Sequence, residues 1–289
     1  MKIQHLRNAT TLLSFGEHHL LLDPMLGEPG SLPGFKMFGG GRRPNPLVPL
    51  PAEHEDALAK ATGVLLTHEH LDHFDAPAKA WIRQRRLPVW AADIDLASLK
   101  RQGFDARSAS SGGDGGLGFD VEVVPARHGS GLLGWLMGPV SGFFLAHPGE
   151  PSLLITSDGV LTDGLLETVE RLDPDLLLAP AGAANFGRGA DILFSVDELM
   201  ELMRRSRARF IFHHLEAIDH CPTTRDELYD RIQGEGLEDR AHIPVDGEVL
   251  EFSAADFPAP AKPRRLLDGP PARPTRLPGF QKWLVSKLP

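Results

Sequence analysis

Short apolar runs separated by polar turns fill the first half of the chain. The runs MKIQHL, TTLLSF and HHLLLDPM predict a small strand meander, and ATGVLLT at residues 61–67 predicts a fully buried strand. Asp75 lies directly before APAKAWIRQRR, which has Pro77 in its first turn. Because aspartate caps helix N-termini and proline suits the first turn, this segment predicts a helix.

Strands alternate with helices in the second half. Strands are predicted over the apolar runs FDVEVVPARH, PSLLITSD, PDLLLAPAG and RFIFHH. DGLLETVERLD has the apolar spacing of an amphipathic helix. Two further helices, SVDELMELMRRSRA and TRDELYDRIQG, each begin with a capping box, Ser195 with Glu198 and Thr224 with Glu227.

Two hairpins complete the predicted elements. GLLGWLMGPVSGFFLA, residues 131–146, is the most apolar segment, but it is too short to span a bilayer and contains glycines and a proline. It is therefore interpreted as a buried hairpin. HIPVDGEVLEF has Asp246–Gly247 at its centre, a pair typical of tight hairpin turns, so a closing hairpin is predicted there.

Two segments rich in proline differ from the rest. Residues 27–51 form a Gly/Pro-rich stretch, and loops of that length in a compact domain are usually functional or disordered. Residues 257–289 contain eight prolines and seven basic residues but one acidic residue. Because proline at that density excludes regular helix and interior strand, one domain is predicted over residues 1–256, followed by an extended basic tail over 257–289. Phe280, Trp283 and Leu284 in the tail offer a small docking patch.

Charge and cysteine content narrow the class of function. The 289 residues carry a formal net charge of −9, whereas proteins that bind nucleic acid or anionic membranes usually present a basic surface. We therefore expect a small-molecule substrate, no nucleic acid and no membrane partner; a homo-oligomer is compatible with this composition. A single cysteine, Cys221, and an N-terminus without a signal-peptide pattern predict a cytoplasmic protein.

The stretch LLTHEHLDHFD, residues 65–75, carries the candidate chemistry. It places four side chains that can bind metal within six positions, directly after the buried strand: His68, His70, Asp72 and His73. The alternation of His68 and His70 indicates a strand that leaves into a turn, which directs these side chains around one point and suits two adjacent metal ions. Imidazole nitrogen and carboxylate oxygen suit zinc, manganese or iron.

THEHLDH resembles the H-x-H-x-D-H signature of the metallo-β-lactamase fold, a four-layer αββα sandwich of the α/β class with a dinuclear site. The resemblance extends over residues 1–252, and more narrowly it is to the branch that includes the L-ascorbate-6-phosphate lactonase. The supporting segments are RNATTLLSFG, LLDPML, VPARHGSG, ITSDGV, PAGAANFG and HLEAIDHCPTTRDEL. One departure is RNAT, where lactonase-like members tend to have a histidine-containing turn.

The resemblance implies a set of metal ligands. His68, His70 and His128 would hold one ion, Asp72, His73 and a last histidine the other, with Asp158 shared between them. Two divalent ions, zinc or manganese, would then activate a trapped water. Metal-ligand candidates outside the signature each follow a predicted strand, as His128 follows FDVEVVPAR and Asp158 follows SLLIT.

Three histidines compete for the last ligand position, in FHHLEAIDH. Adjacent side chains of a strand point to opposite faces, so His213 and His214 cannot both reach the site. On an ideal strand, His214 shares a face with Phe210 and Phe212. We assign the ligand to His214 because it is the later residue at the strand end and because the lactonase-like pattern has its histidine there; His213 and His220 stay alternatives.

Four further residues are interpreted as orienting a ligand or contacting substrate. Asp23 ends the run LLLDP, Asn8 lies in the RNAT turn, Asn185 lies on the loop AAN, and His220 follows the last proposed ligand. Arg188, on the same loop as Asn185, is also a candidate. Trp135 and Met137 are candidates for the pocket mouth.

The predicted reaction is hydrolysis by a metal-bridging hydroxide of an ester, lactone or phosphoester bond in a small polar metabolite. Asp72 would bind one ion and position or relay the proton. Two alternatives within the fold remain, a mononuclear iron dioxygenase and a nuclease or phosphodiesterase, the latter because of the basic tail. A non-catalytic binding protein is disfavoured because no ligand of the set is missing.

Overall fold

The computed structural model describes residues 1–110, 116–129, 131–187, 191–260 and 262–267. Its first sheet has seven strands in the order β13-β1-β2-β3-β4-β5-β6. Their bounds are β1 Lys2–Arg7, β2 Thr10–Phe15, β3 His18–Leu22, β4 Gly63–Leu66, β5 Val89–Ala91, β6 Ala106–Ser108 and β13 Val249–Glu251. The first three strands are antiparallel, as the predicted meander requires, and β3 to β6 are parallel.

The second sheet has six strands in the order β12-β11-β10-β9-β8-β7. Their bounds are β7 Asp120–Arg127, β8 Pro139–Ala146, β9 Leu153–Ile155, β10 Leu176–Pro180, β11 Arg209–His213 and β12 Ala241–His242. Strands β7, β8 and β9 are antiparallel, and β9 to β12 are parallel. Because β4, β10 and β11 are buried along nearly their whole length, their sequences are apolar runs rather than alternating ones.

Helices cover the outer faces of both sheets. Their bounds are α1 His54–Lys60, α2 Ala76–Arg85, α3 Asp93–Arg101, α4 Gly131–Met137, α5 Asp163–Leu172, α6 Val196–Arg205 and α7 Arg225–Gly234, with 3-10 turns at Glu238–Arg240 and Ala254–Asp256. Within the described ranges, none of them is long and apolar enough to cross a membrane. The predicted caps are confirmed: Asp75 accepts a hydrogen bond from Ala78 N, and α6 and α7 both begin with the capping boxes.

Three apolar cores separate four layers. Leu176, Leu178 and Ile211 face the first sheet, whereas Leu177 and Phe210 pack on the outer side with α5, α6 and α7. A third core lies between the first sheet and helices α1, α2 and α3. The molecule is therefore an αββα sandwich, as predicted.

Both predicted hairpins are wrong. Residues 131–146 form helix α4 and then strand β8, which pairs with β7 and β9 instead of folding back on itself. In the closing segment, β12 joins the second sheet beside β11, whereas β13 joins the first sheet beside β1. The Asp246–Gly247 turn thus carries the chain from one sheet to the other, because unpaired edges of both sheets lie on either side of it.

The described start of the basic tail packs on the body. The ring of Phe257 lies 6.3 Å from that of Phe252. Arg264 donates to the Leu172 carbonyl and, at 2.8 Å, to the buried carboxylate of Asp175. The docking patch predicted at Phe280, Trp283 and Leu284 lies outside the described residues.

We expect the two halves of the tail to differ on truncation. Removing residues 257–289 deletes the Phe257 and Arg264 contacts and should destabilise the protein by about 2 kcal/mol, since hydrogen bonds to charged groups contribute about that much. Removing only residues 268–289 keeps the Phe257 and Arg264 contacts, so this share of the stability should remain. Neither truncation deletes a proposed ligand, so turnover should survive both. Loss of turnover with metal retained would contradict this expectation, because the tail would then contribute to the pocket.

Candidate metal centre

The seven proposed ligands meet where strands of both sheets end. His68, His70, Asp72 and His73 lie in the turn after β4, and His128 directly follows β7. Asp158 lies three residues beyond β9, and His214 directly follows β11. The two sheets therefore bring together residues that are up to 146 positions apart in the sequence.

The seven side chains form two groups, each able to hold a metal ion. His68, His70 and His128 form the first group, and Asp72, His73, Asp158 and His214 form the second. Within each group the candidate ligand atoms lie within 4.8 Å of one another. All seven ligands are buried except His70, which is partly exposed.

Asp158 lies between the two groups. Its Oδ2 atom is 3.0 Å from His73 Nε2 and 3.5 Å from His214 Nε2, both in the second group. The same atom is 3.8 Å from His128 Nε2 and 4.0 Å from His68 Nε2, both in the first. A single carboxylate oxygen thus faces imidazoles of both groups.

The outward-facing ring nitrogens of these histidines have partners. Four of them make this contact through Nδ1. His68 Nδ1 lies 2.9 Å from Thr67 Oγ1, and His73 Nδ1 lies 2.9 Å from Asp23 Oδ2. His128 Nδ1 lies 2.9 Å from the Ile192 carbonyl, and His214 Nδ1 lies 3.4 Å from Cys221 Sγ. His70 instead uses Nε2, which lies 3.2 Å from the Met137 carbonyl. Such contacts fix ring orientation in metal sites and leave the other nitrogen for the ion.

Asp23 orients the turn that carries most of the ligands. Its carboxylate accepts hydrogen bonds from Thr67 N at 2.8 Å and Thr67 Oγ1 at 2.6 Å, and it contacts His73 Nδ1. Asp23 also lies close enough to His68 and His73 to form a third potential metal group. Because its oxygens already have these three partners, we interpret Asp23 as an orienting residue.

The charges of the second group indicate a need for a cation. Burial disfavours an imidazolium, but the carboxylates of Asp158 and Asp72 raise the pKa of His73 well above its ordinary value. Burial likewise disfavours ionisation of Asp158, but His73 and His214 hold the pKa of that carboxyl well below its usual range. In the protein without metal, a proton shared at His73 would therefore supply the positive charge that two buried carboxylates require.

The first group is poised to bind a metal without first losing a proton. Burial lowers the pKa of His68 and lowers the pKa of His128 to about 4. Both rings are therefore neutral near pH 7, the form that ligates metals. Among the described residues His68 Nε2 is buried with no hydrogen-bond partner, a costly state that an ion would relieve. The donor set fits borderline-to-hard divalent ions such as zinc or manganese.

His214 reaches the site through its backbone conformation. β11 ends at His213, and His214 has φ +59°. The face that ideal strand alternation shares among Phe210, Phe212 and His214 therefore does not decide where this side chain lies, because the strand ends before it. His213 lies outside both groups, and among the described residues neither of its ring nitrogens has a hydrogen-bond partner.

Three more non-glycine residues around the site have positive φ: Asn8 at 56°, Asp23 at 43° and Ser157 at 59°. Non-glycine residues adopt this conformation infrequently, and such residues cluster at functional sites. Asn8 also links two ligand-bearing loops, since its Nδ2 donates to the Asp72 carbonyl and its carbonyl accepts from His214 N. The local sequence carries no signal for these conformations beyond the presence of Asn and Asp.

The remaining predicted residues have different surroundings. The buried ring of His220 lies edge-on to Phe35 at 5.4 Å and stacked on Phe186 at 6.0 Å, and burial lowers its pKa to about 4. The amide of Asn185 bonds within its own loop, to the Ala183 carbonyl and Gly187 N, and it belongs to neither metal group. Arg188 lies outside the described residues.

Two mixed sheets between helical layers, with a His/Asp cluster at the strand ends of both, define the metallo-β-lactamase class of metal-dependent hydrolases. The chain belongs to the beta-lactamase superfamily: the model of the "Beta-lactamase superfamily domain" matches residues 18–215. A UPF0173 metal-dependent hydrolase of Cereibacter sphaeroides is 30% identical over 187 residues, which cover 62% of this chain and 73% of that relative. The chain is therefore a metal-dependent hydrolase of this superfamily.

Two solved structures are similar over nearly their whole length. The isothiocyanate hydrolase from Delia radicum gut bacteria is 30% identical with a TM-score of 0.80, covering 88% of this chain and 100% of that one. A possible metal-dependent hydrolase from Veillonella parvula is 27% identical, also with a TM-score of 0.80, covering 87% of this chain and 99% of that one.

Proposed function

We propose that the centre holds two divalent ions, zinc or manganese, and hydrolyses an ester, lactone or phosphoester bond of a small polar metabolite. Paired divalent ions acidify a water molecule and polarise the oxygen of the bond that is cleaved. The observation that carries the proposal is the position of Asp158 Oδ2, within 4.0 Å of imidazole nitrogens from both histidine groups. We assign to Asp158 the role of the shared ligand.

Asp72 is the proposed catalytic residue. Its Oδ2 atom lies 3.4 Å from His214 Nε2 and 3.8 Å from His73 Nε2. Burial would raise the pKa of Asp72, but His73 and the hydrogen bond with His214 lower it, so the group is a carboxylate at neutral pH. A carboxylate beside the reacting water orients that water and relays its proton to the leaving group.

A second candidate reaction is the hydrolysis of an isothiocyanate. It is supported by the similarity to the isothiocyanate hydrolase from Delia radicum gut bacteria. In this reaction the oxygen of water adds to the central carbon, the carbon–nitrogen bond breaks, and the two protons of water end on the nitrogen. The products are an amine and carbonyl sulfide, and Asp72 would relay a proton here as well.

A hydrolysis screen tests both candidates. The metal-reconstituted protein is assayed with lactones, carboxylic esters, phosphoesters and 2-phenylethyl isothiocyanate, and its metal content is measured. We expect turnover of at least one class, lost in Asp158→Asn and retained in Asp163→Asn, an exposed carboxylate at the start of α5. Turnover that is unaffected by Asp158→Asn, or protein that binds no metal, would contradict the proposal.

A further inference from the structure

We propose that the substrate carries an apolar group that packs against Phe38 and Trp135, and that Asp219 is the positioning residue that holds Phe38 in place. The inference rests on the proposed function, because the reacting bond must lie at the metal centre. It adds that the substrate is not wholly polar, because the part that lies outside the centre is apolar.

Asp219 fastens the Gly/Pro-rich loop to the turn that follows His214. Its carboxylate accepts hydrogen bonds from Phe35 N at 2.9 Å, Lys36 N at 3.3 Å and Arg43 N at 3.1 Å. Asn45 adds two bonds, from its Nδ2 to Asp219 Oδ1 at 3.0 Å and from Asp219 N to its Oδ1 at 2.9 Å. The Asp219 side chain has no exposed surface, so one carboxylate organises both ends of residues 35–45.

The fastened loop meets two other segments beside the metal centre. One apolar cluster contains Phe35 of the loop and Ile192 of the segment before α6. Met137 at the end of α4 and Phe186 pack against it. The cluster reaches the ligands at three points already described: the Met137 carbonyl at His70, the Ile192 carbonyl at His128, and Cys221 at His214. The loop is therefore part of the wall of the site.

Apolar side chains are exposed on the rim of this wall. Four of the nine exposed large apolar residues in the described part of the chain come from segments around the centre: Met37, Phe38, Leu71 and Trp135, with exposures of 44%, 53%, 38% and 44%. Isolated exposed apolar residues are ordinary, but a group drawn from three separate segments around one site indicates a binding surface.

The rim lies on the side from which the centre is accessible. His70 is the most exposed proposed ligand, Leu71 follows it, and Trp135 lies two residues before the Met137 carbonyl that contacts His70. Phe38 belongs to another segment of the rim, since its N donates to the Phe186 carbonyl at 2.8 Å and Phe186 stacks on His220. We therefore place the outer part of a substrate that reaches the ions past His70 against Phe38 and Trp135.

The two arginines of the loop favour an anionic outer group less than the exposed apolar residues favour an apolar one. Arg42 Nε donates to the Gly34 carbonyl at 2.7 Å, and the backbone of Arg43 is held by Asp219. The guanidinium of Arg42 is thus partly used within the loop. An anionic outer group remains an outcome that the experiment must distinguish.

The test measures binding of inert probes to the zinc-loaded protein by calorimetry. Butanoate, 4-phenylbutanoate and glutarate share one carboxylate for the metal centre and differ at the far end. We expect 4-phenylbutanoate to bind about 10-fold or more tightly than butanoate, because burial of a phenyl group contributes at least that factor. Phe38→Ala should reduce this preference about 3-fold or more, and Asp219→Asn should reduce it at unchanged zinc content. Tyr229→Ala is the control, an aromatic residue of similar exposure (51%) on α7.

Several results would overturn the inference. These are equal affinity for butanoate and 4-phenylbutanoate, tighter binding of glutarate, no binding of any probe, or a phenyl preference that survives both variants. Failure of the proposed function would give a different result. The protein would hydrolyse nothing in the screen, but it would still show a phenyl preference that depends on Phe38 and Asp219. Loss of zinc in Asp219→Asn would also overturn the positioning role, because Asp219 would then act on the metal ligands.

Discussion

His214→Ala is expected to empty the second metal group and to reduce turnover to background. His214 Nε2 lies 3.5 Å from Asp158 Oδ2 and 3.4 Å from Asp72 Oδ2, so its removal leaves two buried carboxylates with one histidine. Removal of a residue that only hydrogen-bonds to a metal ligand lowers metal affinity by about 10- to 100-fold. Removal of a ligand itself should lower the affinity by more than that. Metal analysis after gel filtration, with turnover measured on the same sample, checks the expectation.

His213→Ala is the matched control, because it removes the neighbouring imidazole. His213 is buried, belongs to neither metal group, and has no hydrogen-bond partner at either ring nitrogen within the described ranges. We expect both ions and most turnover to remain, with a lower melting temperature from the cavity that the substitution leaves. If His213→Ala is the variant that loses metal, the assignment of the last ligand to His214 is wrong.

Local signals predicted much of the fold. The meander of β1 to β3, the Asp75 cap and both capping boxes depend on residues close together in sequence, and all are present. The two hairpins failed because a turn pair such as Asp246–Gly247 specifies a change of direction but not the sheet that receives the next strand. That choice depends on the free edges of β1 and β11, which are distant in sequence.

The metal ligands likewise fall into those that local sequence predicted and those that it did not. Four ligands form one motif after β4, and its crowding within six positions made it visible. Assignment of His128, Asp158 and His214 required the family resemblance, because a single His or Asp at a strand end is common. The left-handed backbone of His214 was not predictable, since nothing in the sequence RFIFHH indicates that the strand ends at His213.

Asp219 was missed altogether. It lies beside His220 in the sequence IDHC, and nothing local shows that its carboxylate will accept hydrogen bonds from residues more than 170 positions earlier. Burial disfavours its ionisation, but hydrogen bonds from Asn45 and from backbone N–H groups lower the pKa of Asp219. A buried carboxylate with this many donors is visible only once the fold brings the Gly-rich loop to it.

Gly182→Ala is expected to disturb the metal centre by displacing the turn that carries His214. Gly182 lies after β10, and a Cβ atom there would be 2.4 Å from the His214 carbonyl oxygen and 2.6 Å from Cys221 Sγ. Because one of these contacts is backbone, the turn that presents His214 must move. Overpacking of this kind costs about 1–3 kcal/mol. We also expect weaker binding of the second ion, since Cys221 Sγ contacts His214 Nδ1.

Gly164→Ala controls for the loss of a glycine as such. Gly164 lies in α5, and an added Cβ would meet no atom within 4 Å. This variant should be more stable by about 0.4–1 kcal/mol, because alanine restricts the unfolded chain. Thermal unfolding and metal titration of both variants measure the difference. If the Gly182→Ala variant has the melting temperature of the parent protein and binds two ions as tightly, the expectation is wrong. The turn would then accommodate the methyl group, and close packing of Gly182 would not position His214.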